Sequence, residues 1–169
     1  MEMEGEREKE RENNGASSAT CCVVGLDSTT NISYIACSSC EKPLHTQHNP
    51  SSTPALCCSF CKSSSFKRFY RVVMSVASGN KVMVVICFDK AARVMFGCSA
   101  DEFFDFAKVN PFAVVTAGQI LEGEMFGMKL SMPRSGNAEH LRATSVVPLH
   151  SGFQPVIQTL KKMYRVKHR

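Results

Sequence analysis

Two Cys-x-x-Cys pairs constrain this chain more than any other feature. Cys37-Ser-Ser-Cys40 and Cys58-Ser-Phe-Cys61 are separated by seventeen residues. Two residues between cysteines let one tight turn aim both thiolates at a single point. Two such knuckles complete a tetrahedral four-sulfur shell, with Zn–S near ~2.3 Å. Four protein ligands leave no open position for water, so the reading is one structural Zn2+ held by Cys37, Cys40, Cys58 and Cys61. Two alternatives stay open at this level. Cys57 adjoins Cys58, so the second knuckle could shift by one residue. His45 and His48 lie between the pairs and could replace a thiolate. The remaining cysteines read differently: Cys21 and Cys22 in an apolar run, and Cys87 and Cys98 without partner spacing, read as small core hydrophobes.

Disulfides are the weaker explanation for nine cysteines. Residues 1–12 alternate Glu with Arg and Lys, without the apolar stretch of a secretory signal. The longest apolar runs, such as Val82–Phe88, fall far short of the ~20 residues that span a bilayer. A soluble intracellular protein with no membrane role is expected, where thiols stay reduced and metal binding is the default. At 169 residues, one domain fits and two would be cramped.

Net charge is +5, unevenly spread. Residues 1–12 carry six Glu against three Lys and Arg, and residues 13–169 carry 17 Lys and Arg against nine Asp and Glu. The folded part is therefore basic and suits an anionic partner such as nucleic acid.

Residues 1–18 read as a disordered acidic tail and 19–169 as one domain. Thr20–Leu26 reads as a strand. Residues 41–56 are rich in Pro, Ser, Thr and His and read as loop within an insert of about 34–66. Residues 69–77 read as a strand with Tyr70, Val72, Met74 and Val76 on one face and Arg71, Val73 and Ser75 on the other. Ser78-Gly79-Asn80 reads as a hairpin turn, and Lys81–Phe88, apolar throughout, as a largely buried strand. A helix over 89–96 has Asp89 as its N-cap and Gly97 as its stop. Ser99-Ala-Asp-Glu102 is a capping-box pattern opening another helix, with Phe103, Phe104, Phe106 and Ala107 packing, before Pro111. Glu124–Met132 and His140–Leu149 read as strands, with a turn over 133–137. In the second of these, Leu141, Ala143, Ser145 and Val147 oppose Arg142, Thr144 and Val146. A helix over about 154–168 starts at Pro155 and places Val156, Ile157, Leu160, Met163 and Tyr164 on one stripe. Five strands with a helix after the third is the layout of a five-stranded Greek-key barrel, the OB-fold. A small α+β sandwich also accommodates the order.

A groove for single strands needs cations tracking phosphates and flat rings stacking on bases. Lys67, Arg68, Phe69 and Arg71 interleave them. Lone cations such as Lys81, Lys90, Lys129, Arg134 and Arg142 are by default solvated surface charges. Catalysis finds no nucleophile elbow, P-loop or dinucleotide fingerprint, and no enzyme is expected.

From Ala19 onward the chain resembles the C-terminal DNA-binding domain of the replication protein A large subunit. The resembling landmarks run in order: Tyr34-Ile-Ala-Cys37 with Cys40; Phe66-Lys-Arg-Phe-Tyr70-Arg71-Val-Val-Met-Ser-Val76; Phe88-Asp-Lys-Ala91-Ala92, Gly97 and Ser99 to Glu102; then Phe126 and His140-Leu-Arg142-Ala143-Thr144. The resemblance implies a mainly β domain: an OB-fold barrel with a zinc ribbon inserted between its first two strands and a C-terminal helix. It implies single-stranded DNA binding in replication, repair or recombination in the nucleus. Phe88 and Phe126 match the family's strand positions, and with the strand cations Lys129 and Arg142 they complete the DNA-contact candidates. Through the terminal helix the resemblance makes Val156, Ile157, Leu160, Met163 and Tyr164 candidates for docking partner OB-fold subunits. Two departures stand out. The family's large subunit carries several OB domains in series, and this chain has room for one. Gly127 follows the aromatic at Phe126, where the family usually has a basic residue. Two rival functions remain: an assembly module docking subunits through that helix with little DNA affinity, and a zinc-ribbon RNA-binding or transcription-associated protein.

Overall fold

The structure is a computed structural model and describes residues 16–44, 57–132 and 140–165. Along the chain the elements are β1 (Ala16–Leu26), β2 (Ser33–Cys37), β3 (Phe66–Ser78), β4 (Lys81–Phe88), α1 (Asp89–Phe96), α2 (Ala100–Val109), α3 (Ala113–Leu121), β5 (Met125–Ser131), β6 (Leu141–Pro148) and α4 (Val156–Arg165).

Five strands close a barrel in the order β1-β5-β6-β4-β3, with β3 returning to β1. All its pairings are antiparallel except β4 with β6. That parallel pair needs a long crossover, and α1, α2, α3 and β5 lie within it. This is the expected OB-fold barrel. The insert between its first two strands, β1 and β3, carries the short β2, which pairs with the leading half of β3.

The barrel interior follows period-two alternation. Tyr70, Val72, Met74 and Val76 of β3 point inward and are buried. They meet Cys21 and Val23 of β1, Val85 and Cys87 of β4, Phe126, Met128 and Leu130 of β5, and Ala143 and Val146 of β6. Tyr70, Phe96 and Phe103 form a ring column that ties α1 and α2 to β3, with centroids 4.9 and 5.0 Å apart. The Tyr70 hydroxyl donates to the carbonyls of Cys98 or Ser99, each 3.2 Å away, so this buried polar group is satisfied.

Several sequence expectations change here. The first strand begins at Ala16, because Ala16, Ser17 and Ser18 ladder against Ser131, Leu130 and Lys129. β4 is apolar throughout yet alternates: Val82 is 69% exposed while Val85 and Cys87 are buried. The alternation in β6 breaks because Lys129 pairs with Ser145 while Leu130 pairs with Ala143, bulging out Thr144. The bulge turns Val146 inward and Val147 outward, reversing the expected phase. Asp89 is the first helical residue of α1 rather than its cap. Its carboxylate accepts the Tyr70 N–H at 3.0 Å. Gly97 does end α1, at φ 74, and a Cβ there would meet the Pro155 ring at 2.3 Å. Ser99 caps α2 by accepting the Glu102 N–H at 3.2 Å. α3 has no counterpart among the elements expected from the sequence.

The terminal helix packs against α1 and α3. Val156, Ile157 and Leu160 are buried in this chain's own core, against α1 and α3. They are therefore not an exposed docking stripe. Of the five candidates, Met163 stays 50% exposed, and Tyr164 packs edge-on against Phe106 at 5.6 Å.

Candidate metal centre and nucleic-acid interface

β2 delivers Cys37 at its last residue, and the chain turns at once. The Glu41 N–H donates to the Cys37 carbonyl at 2.9 Å, and Glu41 sits at φ 62. The second knuckle repeats this geometry: the Lys62 N–H donates to the Cys58 carbonyl at 2.9 Å, and Lys62 sits at φ 64. Left-handed backbone at a non-glycine residue is uncommon, and it recurs just after the second cysteine of each pair. The turns are tied together by Ser38 N–H to the Ser65 carbonyl at 2.9 Å and by Ser39 Oγ to Ser63 Oγ at 3.2 Å.

These turns bring Cys37, Cys40, Cys58 and Cys61 together, all four sulfurs lying within 4.8 Å of one another. The Cys37–Cys61 and Cys40–Cys58 sulfur separations are 3.4 and 3.6 Å. A tetrahedral ion with bonds of ~2.3 Å would set its sulfurs about 3.8 Å apart, so the donor set fits such an ion. Backbone N–H groups point at the sulfurs. Cys37 receives those of Cys40 and Ser39, which hold its thiol down at about 6. Cys58 receives those of Cys61 and Phe60 and is likewise lowered. Cys61 receives the Ser63 N–H, but the Cys37 sulfur, desolvation and the other thiols outweigh it and push Cys61 up to about 12. Cys40 is also raised, the Lys42 N–H being outweighed by desolvation and by Cys58 and Cys37. Four thiolates this close need a cation to ionise together, and a divalent metal held by Cys37, Cys40, Cys58 and Cys61 would supply it.

The register question is answered by Cys57, whose thiol turns away to the Lys62 carbonyl at 3.1 Å. His45 and His48 lie outside the described residues. Cys21, Cys87 and Cys98 are buried in the barrel core, and burial pushes the Cys87 thiol up to about 12.

The predicted basic cluster divides. Along β3, Lys67, Phe69 and Arg71 alternate onto one side and Arg68 with Tyr70 onto the other. Lys67 Nζ lies 4.7 Å over the Phe69 ring, whose other neighbour is Tyr34 at 5.9 Å. Arg68 instead covers Phe104 of α2 at 3.3 Å, and its N–H donates to Asp101 at 3.2 Å. Arg68 thus leaves the sheet-face cluster. Phe69 is buried, 5% exposed, so it supports Lys67 and Tyr34 rather than offering a free face. Phe126 is fully buried inside the barrel against Phe153 at 5.2 Å and is withdrawn as a stacking ring. Phe88 lies on the outer face: it is half-buried, pairs with Arg71, and lies 4.9 Å beneath the Arg142 guanidinium. Arg142 pairs with Ile86 on β4 and Ser131 on β5. Lys129 is exposed farther round the barrel, opposite Ser18.

The outer sheet therefore presents Lys67, Arg71, Phe88 and Arg142 together. Beyond Arg71 on the same face lies a groove of about 490 Å³ walled by Val24, Asp27, Val73, Ser75, Val84 and His140. Sequence reasoning missed Phe60, which is 65% exposed and has Lys42 Nζ 3.5 Å over its ring. Its position held a readable signal, since a knuckle that aims Cys58 and Cys61 inward throws the intervening side chain outward.

Residues 17–149 match the family described as the replication factor-A C terminal domain. The chain belongs to that family. A search of curated proteins returned no match. Among solved structures, the fold is similar to a replication protein A heterotrimer bound to ssDNA, with a TM-score of 0.65 and 18% identity. That alignment covers 90% of this chain and 34% of the other, so the chain spans about a third of that protein's length. It is also similar to yeast RPA bound to ssDNA, with a TM-score of 0.64 and 14% identity, covering 94% of this chain and 89% of the other. At these identities the likeness speaks for the fold, and the family match carries the kinship. Among the described residues no helix is long and apolar enough to cross a membrane.

Proposed function

We propose that this domain binds single-stranded DNA on the outer face of β3, β4 and β6, as a non-enzymatic nuclear module of replication, repair or recombination. The observation that carries the reading is the grouping of Lys67, Arg71, Phe88 and Arg142 on one sheet face beside an apolar groove. Cations there track phosphates, and the Phe88 edge and the valine-lined groove receive bases. From Lys67 to Ser75 the face runs about 26 Å along β3, room for a few nucleotides. Phe60 and Lys42 on the ribbon extend the same chemistry beyond the barrel.

The metal in this reading is Zn2+, chosen by the all-thiolate tetrahedral donor set. It fixes the ribbon and takes no part in chemistry. Residues 1–15 precede the described domain and carry six Glu against three Lys and Arg. Partner OB-fold subunits would meet Met163 at the outer end of α4 rather than the helix's buried stripe.

The test is binding of a labelled oligothymidylate across a salt series. The expected result is an affinity that falls linearly in log–log form, with a slope of about −0.7 per phosphate contact. Absent or salt-independent binding favours the assembly role. Stronger competition by RNA than by DNA favours the RNA-binding rival.

A further inference from the structure

Among the described residues, the cations of the outer sheet face make no ion pair. Among the described residues the ion pairs are Arg93–Asp89, Lys108–Asp105 and Lys161–Glu102, all on helices. Lys67, Arg71, Lys129 and Arg142 form none. The chain's acidic surplus lies elsewhere, in residues 1–12, where Glu occupies every even position from Glu2 to Glu12. In an extended strand that period puts all six carboxylates on one side, about 7 Å apart, and Arg7, Lys9 and Arg11 on the other. One side of such a strand is then uniformly anionic, as a nucleic-acid backbone is.

The fold fixes where this segment attaches. Ala16 pairs with Ser131, Ser131 with Arg142, and Arg142 with Ile86, all in neighbouring strands. Two interstrand steps of ~4.8 Å place Ala16 about 10 Å from Arg142. Ser18 is directly opposite Lys129. Asn13, Asn14 and Gly15 stand between the glutamates and β1, and these residue types reverse a chain readily. Fifteen residues reach up to ~50 Å extended, enough to fold back over the whole face.

We propose that the glutamate-rich segment 1–12 docks across Lys129, Arg142 and Arg71 of its own chain and competes there with the anionic strand. The competition rests on the DNA-binding reading above, whereas the docking does not. Tethering holds the segment at an effective concentration in the millimolar range, so a weak contact still matters. The contact is electrostatic and fades as the Debye length shrinks below ~10 Å above 0.1 M salt.

The experiment compares three full-length chains: the native one; one with E2Q, E4Q, E6Q, E8Q, E10Q and E12Q; and one with D105N, E122Q and E124Q. The last controls for net charge alone. Amide NMR without nucleic acid reads the docking, and labelled oligothymidylate reads the competition. We expect the six-fold variant to shift the Lys129, Ser131, Arg142 and Arg71 amides. It should also bind the oligonucleotide about three- to tenfold tighter at low salt, with the gap gone near ~0.5 M. Unmoved amides overturn the proposal. Equal tightening per charge in the control variant, or moved amides with unchanged oligonucleotide affinity, overturns the competition. Moved amides with no oligonucleotide binding by any chain support the docking and instead count against the DNA-binding reading.

Discussion

The barrel and the ribbon are one continuous chain held together by different physics. The barrel closes on itself and lines its interior with apolar side chains from five strands; α1 and α3 pack on it, and α4 packs on those helices. Burial of that surface, at ~25 cal/mol per Å², is its driving force. Among its described residues the ribbon has no comparable interior: around the four sulfurs stand Ser38, Ser39, Ser63 and Ser65, tied by a few hydrogen bonds. An insert so polar cannot offset its own chain entropy, and a metal on the four sulfurs would supply the deficit. Each region fails by its own route.

The largest effect should come from stripping the metal or from Cys40→Ser. We expect hydrogen-exchange protection in β2 and the knuckles to be lost while protection in β3–β6 persists, and protein purified without chelator to carry one zinc per chain. Loss of barrel protection together with the ribbon would erase the distinction. Next in size, Leu160→Asp puts a charge into the fully buried α4 contact and should lower the unfolding free energy by about 4 kcal/mol, read by urea titration. Zinc content of the remaining folded protein should be unchanged. Full stability with lost partner binding would instead return α4 to a docking role. A smaller effect is expected from neutralising Lys67, Arg71 and Arg142 to Gln together. The log–log salt slope for oligonucleotide binding should flatten by up to about 2, at ~0.7 per lost phosphate contact. Arg68→Gln should leave that slope alone, because its guanidinium is occupied over Phe104.

The metal site was the most legible part of the sequence, because Cys-x-x-Cys spacing is a local rule that a turn satisfies without help from the rest of the fold. The barrel order was also readable, from alternation in β3 and from turn residues between strands. What escaped depends on neighbours. The bulge at Thr144 reverses the facing of β6 and exists only because of the register against β5. Phe126 and Phe88 are both strand phenylalanines, and only closure separates a ring inside the barrel from one outside. The α4 stripe could have faced a partner or its own core. Amphipathic period does not distinguish them, and Gly97 against Pro155 shows how closely the fold seats that helix. Arg68 directly follows Lys67 in the chain, yet strand alternation sends it to the opposite side from Lys67 and Arg71.

The most direct test of the account is hydrogen exchange of the native, metal-loaded chain with and without bound oligothymidylate. The prediction is added protection at Arg71, along Ile86 to Phe88, and at Arg142, with the ribbon knuckle around Phe60 also slowed. Protection confined to α3 and α4, with the β3–β4–β6 face unchanged, would contradict it.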